Sequence, residues 1–549
     1  KVVAQWSAWD ESQSGASEAE EPSTISVSND EINPGIFEIV ADRIKKVARD
    51  RAGVVGADTN IVSDLGLDSL ERMEIARELE NAFSGRFPDE VLQEIETVRE
   101  VVAAIEQHFS INGVLPEVSS QSSSSVIANG KIPEAFYKLE KMPEYIRLKR
   151  TEEEIEATGI RNPFFSVHEG RIGDTTIIDG KELISFASYN YLGLSGNPEV
   201  NESAKEAIDH FGTSVSASRI VSGEKTIHKQ LEFELAEFLG VEDVITFPGG
   251  HATNESVVGH LVGSGDLIIH DSFAHNSIIQ GAELSGARRR PFNHNDWKHL
   301  DSILGQIRND YRRVLIAVEG LYSMDGDYPE LPKFVEIKNK YKAWLYVDEA
   351  HSIGTLGETG RGIAEVYQVD RNEVECWMGT LSKSFGSCGG FIGASKSLVR
   401  YLRYTTPGYV FAAGMPPANV GAALGALRLL KKEPMRVAQL RENSKLFLDL
   451  ANSAGLDTGM SHNSPIIPII TRSSMKALKL SEALFEHGIN AQPILYPAVP
   501  EDETRVRIFM TSLHTERQIR DSVDTIVRQW GVIEGTPLNP TSKTLANAE

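Results

Sequence analysis

Trp344-Leu345-Tyr346-Val347-Asp348-Glu349-Ala350-His351 is a short apolar run that stops at an acid. A second such run opens Trp377-Met378-Gly379-Thr380-Leu381-Ser382-Lys383-Ser384-Phe385-Gly386. Apolar runs of this length, bounded by polar or glycine-rich residues, read as buried strands. Outward from them, strands are expected at 243–247, 266–270, 313–319, 343–348, 375–379 and 390–393, with helical segments between. That alternation argues for a largely parallel α/β sheet. From about residue 430 helices and strands such as 465–470 and 506–510 suggest a second, smaller α+β domain.

Ligands of such sheets gather at strand C-terminal ends, and the chemistry-bearing residues lie there. One strand ends at Asp348, and 35 residues later Lys383 stands in a Ser/Gly-rich turn between two strands. That pairing is what pyridoxal phosphate (PLP) needs: a lysine for a Schiff base and a carboxylate to keep the pyridinium protonated as an electron sink. Phe247-Pro248-Gly249-Gly250-His251-Ala252-Thr253-Asn254 follows a strand and opens a helix, where small residues let backbone N–H groups approach a phosphate. Each residue also has a plainer reading. Asp348 suits a helix N-cap, His351 a structural histidine, Lys383 a surface lysine, and Gly249-Gly250 an ordinary strand–helix turn. The Asp-Glu-Ala-His run also occurs in helicases, but no Gly-x-x-x-x-Gly-Lys-Ser/Thr loop accompanies it, so nucleotide binding is not expected.

The 549 residues exceed one domain, and no run of about 18 apolar residues suggests a membrane span. The chain begins at Lys1 without a signal-peptide pattern, which reads as a piece of a longer polypeptide. Two cysteines, Cys376 and Cys388, give no disulfide framework and fit a reducing cytoplasm. Net charge is −23; residues 1–129 hold 10 Lys/Arg against 24 Asp/Glu, or −14, leaving −9 for the rest. This balance argues against a nucleic-acid partner and suits either basic protein partners or a merely solvated face. No metal site is expected.

Residues 33–110 have helical spacing: Ile36, Ile39, Val40, Ile44 and Val47, then Leu70, Met73, Ile75, Ala76 and Leu79, then Val98, Val101, Val102 and Ile105. Gly66-Leu67-Asp68-Ser69-Leu70 precedes the middle helix, expected over 69–83, which bears Glu71, Glu74, Glu78 and Glu80. Ser69 is a good N-cap in any reading. The segment also resembles acyl carrier proteins, and the resemblance implies that Ser69 carries 4′-phosphopantetheine. A phosphopantetheinyl transferase and upstream acyl-loading enzymes would then be partners.

The later motifs together resemble the α-oxoamine synthase family of fold-type I PLP enzymes. They are Ser188-Tyr189-Asn190-Tyr191-Leu192-Gly193-Leu194, Gly212-Thr213-Ser214-Val215-Ser216-Ala217-Ser218-Arg219, Asp271-Ser272-Phe273-Ala274-His275-Asn276-Ser277, Glu319-Gly320-Leu321-Tyr322-Ser323-Met324-Asp325-Gly326-Asp327, the Asp348 and Lys383 blocks, and Arg505-Val506-Arg507-Ile508. The resemblance, over about 140–535, implies a homodimer that condenses an amino acid with an acyl thioester and releases carbon dioxide. It implies His275 stacked on the PLP ring, Ser323 and His351 near its phenolic oxygen, and Gly249, Gly250, His251 and Thr380 around the cofactor. Asn190 and Arg507 would meet the amino-acid carboxylate. Two departures stand out: His251 occupies a place often aromatic in the family, and 409–416 lacks the hydroxyls with which a neighbouring subunit often touches the phosphate.

The expected architecture is a multidomain chain: a four-helix carrier-protein bundle, then an α/β fold-type I PLP-dependent transferase with a large parallel-sheet domain and a smaller α+β domain. Its expected parts are a linker 1–32, carrier domain 33–110, Ser-rich linker 111–130, N-terminal arm 131–175, large domain 176–413, small domain 414–535 and tail 536–549. The expected activity is decarboxylative condensation of a small L-amino acid with a carrier-bound acyl thioester, in a polyketide- or lipid-like pathway. The alternatives are another fold-type I PLP enzyme (aminotransferase or racemase) and a non-catalytic carrier-bearing subunit.

Overall fold

A computed structural model describes residues 33–48, 55–61, 65, 67, 75–76, 78–79, 82–83, 97–108, 132–496 and 498–535. These fall into two compact units divided between Gly159 and Ile160.

In the first unit, Asn33 caps the helix Pro34–Ala48 by accepting from Gly35 N–H at 3.1 Å. Proline at the first helical position costs no hydrogen bond. The predicted stripe Ile36, Ile39, Val40 and Ile44 is buried. A capping box starts the helix Val98–His108: Thr97 N–H donates to Glu100 at 2.8 Å, and Glu100 N–H to Thr97 Oγ1 at 3.3 Å. Val98, Val101, Val102 and Ile105 pack with Ile75, Ala76 and Leu79 of the middle segment. Burying each such side chain contributes about 1.5–3 kcal/mol, so this stripe pattern is what makes the bundle. Ser69, with the Gly66, Asp68 and Leu70 around it, lies outside the described residues, as do the expected linkers and tail.

Among its described residues the second unit contains thirteen strands: β1 (Thr175–Ile178), β2 (Lys181–Ser185), β3 (Asp243–Phe247), β4 (Leu267–Asp271), β5 (Arg288–Phe292), β6 (Val314–Glu319), β7 (Trp344–Asp348), β8 (Cys376–Thr380), β9 (Gly390–Ala394), β10 (Ile466–Ile470), β11 (Ile489–Asn490), β12 (Gln492–Ile494) and β13 (Arg505–Phe509). The seven-stranded sheet has the order β3-β9-β8-β7-β6-β4-β5, and only β9 runs antiparallel to its neighbours. Helices cover both faces, which is why β4, β6, β7 and β8 are apolar along their length.

Two features depart from the sequence reading. Strand β5 was not expected, because Arg288-Arg289-Arg290 conceals it; it pairs in parallel with β4 at the sheet edge. The boundary at 176 falls inside β1, and β2 pairs in parallel with β11, Ile184 against Ile489. Residues 175–185 thus join a strand from the C-terminal part of the chain. The antiparallel sheet β10-β13-β12 sets Arg507 on its central strand.

Candidate active site

The C-terminal ends of β3, β4, β6, β7 and β8 deliver the residues expected around the cofactor. Parallel strands bring these ends to one edge of the sheet, so residues far apart in sequence converge. Register decides the finer placement. Glu319 and Asp348 are direct partners across β6 and β7, which sets two carboxyl groups side by side. Burial pushes Glu319 well above the usual carboxylate range, with the Asp348 charge adding and Lys383 opposing. Its Oε1 accepts the His275 backbone N–H at 2.7 Å.

The Lys383 turn is closed by Leu381 N–H to Gly389 O and Gly386 N–H to Lys383 O, both 2.9 Å. Gly386 has φ of +56°, and a Cβ there would lie 2.6 Å from Ser195 N, so only glycine fits. Ser384 Oγ anchors the turn to Ile353 O at 2.8 Å. Lys383 Nζ lies 5.6 Å from the Tyr189 ring centroid. Burial lowers its amine to about 8, even though Asp348 and Glu319 favour the charged form.

The residues present fit PLP. The helix Gly250–Leu261 begins without a side-chain cap, so its first N–H groups are free of a capping oxygen. A Cβ on Gly250 would stand 2.7 Å from Thr380 Oγ1, so the start of this helix lies directly against the Thr380 hydroxyl, which donates to Gly389 O at 3.1 Å. Asp348 ends β7 with Oδ2 accepting from Asn254 Nδ2 at 2.7 Å and Oδ1 from Ala350 N–H at 2.9 Å. His351 Nδ1 is 2.8 Å from Tyr191 OH. Burial holds this imidazole well below its usual pKa, with the Lys383 and Arg507 charges adding. When bound, PLP supplies the electron sink for charge developing at the amino-acid carbon.

Arg507 donates through Nη1 to the Ser323 carbonyl at 2.9 Å and lies 4.5 Å from the Phe509 ring. Its Nε is buried with no hydrogen-bond partner among the described residues. Such an atom is costly unless a ligand satisfies it, and a guanidinium edge suits a carboxylate.

Two expected residues are placed differently. Asn190 turns its side chain into its own loop: Nδ2 donates to Ile172 O at 3.0 Å and Ser195 O at 3.4 Å, and Oδ1 accepts from Ser195 N–H at 3.0 Å. Both amide hydrogens are therefore engaged, while its neighbour Tyr189 stands against Lys383 and His351. His251 is exposed and faces Glu255, with Nε2 3.2 Å from Oε1. Its ring is 6.0 Å from that of His275, at 80°.

Residues the sequence reading did not single out complete the site. His294 lies between Asp271 and Asp327, at 2.8 and 2.9 Å, so both ring nitrogens donate. Burial opposes its charge, but the hydrogen bonds to Asp271 and Asp327 raise it to about 10. It ties the segment leading to His275 to the loop carrying Ser323. Because the folded pKa exceeds the ordinary 6.5, the stabilisation is full below about pH 6.5 and is lost as pH rises towards about 10. His294→Gln is expected to lose ~3 kcal/mol at neutral pH, since two buried carboxylates lose their counter-charge. Urea unfolding should show the gap to the parent narrowing as pH rises from 6.5 to 10.

Comparison with known proteins assigns the chain to a family. Residues 181–526 match the family Aminotransferase class I and II, and residues 37–105 match Phosphopantetheine attachment site. The 8-amino-7-oxononanoate synthase of Thermoanaerobacter pseudethanolicus is 39% identical over 372 residues, covering 68% of this chain and 93% of the relative. A serine palmitoyltransferase of Bacteroides thetaiotaomicron is 35% identical, covering 68% and 94%. The solved serine palmitoyltransferase of Sphingomonas wittichii superimposes with a TM-score of 0.70 at 32% identity, covering 72% of this chain and 99% of that one.

The chain belongs to the class I and II aminotransferase family, with the fold of type I PLP transferases. Within it, the chain is a PLP-dependent acyltransferase of the α-oxoamine synthase kind, preceded by a carrier domain for 4′-phosphopantetheine.

Proposed function

We propose that this enzyme condenses a small L-amino acid with an acyl thioester held on its own carrier domain, giving an α-amino ketone, carbon dioxide and the free carrier thiol. One observation carries this reading: a phosphopantetheine attachment module and an α-oxoamine synthase domain occur in the same chain. The thiol arm implied at Ser69 would hold the acyl group that the second domain consumes. Arg507 grips the amino-acid carboxylate, and the wall of Tyr189, His351 and Phe509 keeps the reacting carbon in a partly apolar cleft. Lys383, with an amine near pKa 8, provides the nucleophile that anchors PLP and the base that moves the proton at the amino-acid carbon. Thr380 and the Gly249-Gly250 turn would hold the phosphate of bound PLP; His275, Ser323 and His351 would border its ring. Asn190 supports this cleft through its loop, leaving the carboxylate to Arg507.

We further propose a homodimer working in the cytoplasm, served by a phosphopantetheinyl transferase and by enzymes that load the acyl group. Exposed apolar side chains such as Val221 and Phe411 support a second copy as neighbour. Both cysteines are free, which suits a reducing compartment. No helix among the described residues is long and apolar enough to cross a membrane.

The test is amino-acid-dependent carbon-dioxide release from protein loaded with an acyl-phosphopantetheine, screened over small amino acids. Stoichiometric release with loss of the acyl mass is expected; transamination without carbon dioxide would overturn the reading. In the same assay Arg507→Lys should raise the amino-acid KM about 100-fold, because an ammonium cannot reproduce the two-pronged fork.

A further inference from the structure

Four side chains beside the Lys383 turn form one continuous hydrogen-bonded run into His275. Tyr346 OH is 2.7 Å from Asn254 Oδ1. Asn254 Nδ2 is 2.7 Å from Asp348 Oδ2 and 2.8 Å from Ser277 Oγ. Ser277 Oγ is 2.7 Å from His275 Nδ1, and the Ser277 backbone N–H meets the same nitrogen at 3.3 Å. Asn254, Asp348 and Ser277 are almost fully buried, at 2%, 3% and 0% exposure, so water does not compete for these bonds.

The direction of each bond follows from chemistry. An ionised carboxylate accepts only, so the Asn254 nitrogen must face Asp348, and its second hydrogen goes to Ser277 Oγ. The Asn254 oxygen then takes the Tyr346 hydroxyl hydrogen. Ser277 Oγ, already accepting, directs its single hydrogen to His275 Nδ1. The Ser277 backbone N–H can only donate, and it points to the same atom. Nδ1 is therefore an acceptor twice over, and a neutral ring must carry its hydrogen on Nε2. Desolvation lowers the His275 pKa, Asp348 opposing and Lys383 adding, which favours the neutral ring.

We propose that Asn254 and Ser277 are positioning residues that hold His275 in its Nε2–H tautomer, so that the ring meets the bound substrate as a hydrogen-bond donor and not as a base. The part concerning substrate rests on the function proposed above; the tautomer itself does not. Asp348 has a double task in this arrangement. The carboxylate that would face the pyridinium of bound PLP also orients Asn254, so the electronics of the cofactor site and the proton position on His275 would share one network.

The test uses PLP-loaded enzyme labelled with 15N in its histidine rings, with His275→Gln identifying the His275 resonances. The parent should show an acceptor Nδ1 and a protonated Nε2. Ser277→Ala should move both resonances towards values averaged over the two tautomers. It should also lower kcat about tenfold while changing the amino-acid KM much less. Ser277→Thr keeps the hydroxyl and should restore the parent pattern. A hydrogen on Nδ1 in the parent overturns the proposal, as do resonances unchanged in Ser277→Ala. A parent with the expected tautomer but no carbon-dioxide release would remove the proposed function and leave the tautomer assignment standing.

Discussion

Lys383→Ala is expected to remove the visible absorbance of the PLP-loaded enzyme and to lower turnover by about 10,000-fold or more. The side chain supplies both the covalent anchor and the proton-transfer base, and the two roles vanish together. The turn itself should survive, because its bonds run through the backbone of Leu381, Gly386 and Gly389 and through Ser384. Unchanged thermal unfolding would therefore separate lost chemistry from lost fold. A visible band that persists in the variant sinks the assignment.

A pH measurement sharpens the same point. Burial holds the amine near 8, below the ordinary 10.5, so the neutral, reactive fraction grows as pH rises through about 8. Competitive acylation of apoprotein should label Lys383 half-maximally near that pH, well below exposed lysines. The charge of Asp348 raises this amine, so Asp348→Asn should lower the midpoint further. Between about 8 and 10.5 the unfolded amine keeps a proton that the folded one has lost, so stability gains with pH across that window.

Ser69→Ala is expected to abolish both the mass gain on incubation with a phosphopantetheinyl transferase and all turnover of carrier-bound acyl groups. A short flexible tether holds its cargo at roughly millimolar effective concentration, about 1,000-fold above a micromolar free thioester. The variant should recover turnover when free acyl thioester is supplied at millimolar concentration, because its catalytic unit is untouched. Retained mass gain would move the attachment point away from Ser69. Failure to use any free thioester would show that the carrier contributes more than proximity.

Much of this architecture is legible in the chain. The predicted strand at 243–247 is β3 to the residue. Those at 343–348 and 390–393 miss their ends by one position, since burial on both faces leaves an apolar run whose limits are polar. Strand β5 escaped because its three arginines break that pattern. Asp348 and Lys383 stand out in the sequence because a carboxylate at a strand end and a lysine in a Ser/Gly-rich turn are residue types that PLP chemistry uses. Glu319, Asn254, Ser277 and His294 are not: each is an ordinary polar residue until its partner is known. Their long-range bonds join positions 23 to 94 apart, from Asn254 to Ser277 and from Asn254 to Asp348.

Asn190 shows the opposite case. Its motif suggested a substrate contact, yet three local hydrogen bonds turn the amide into its loop. His251, on the first turn of a helix, finds Glu255 one turn later and faces outward. By itself the sequence determined most strands of the large sheet, the carrier module, and the residue types at positions 348 and 383, because burial period and chemical type are properties of each segment. Only the tertiary structure decided which strand ends lie side by side. The order β3-β9-β8-β7-β6-β4-β5 sets Glu319 against Asp348 and draws Asn254 to both Asp348 and Ser277. A hydrogen bond needs its two atoms within about 3 Å, and no local pattern encodes that distance.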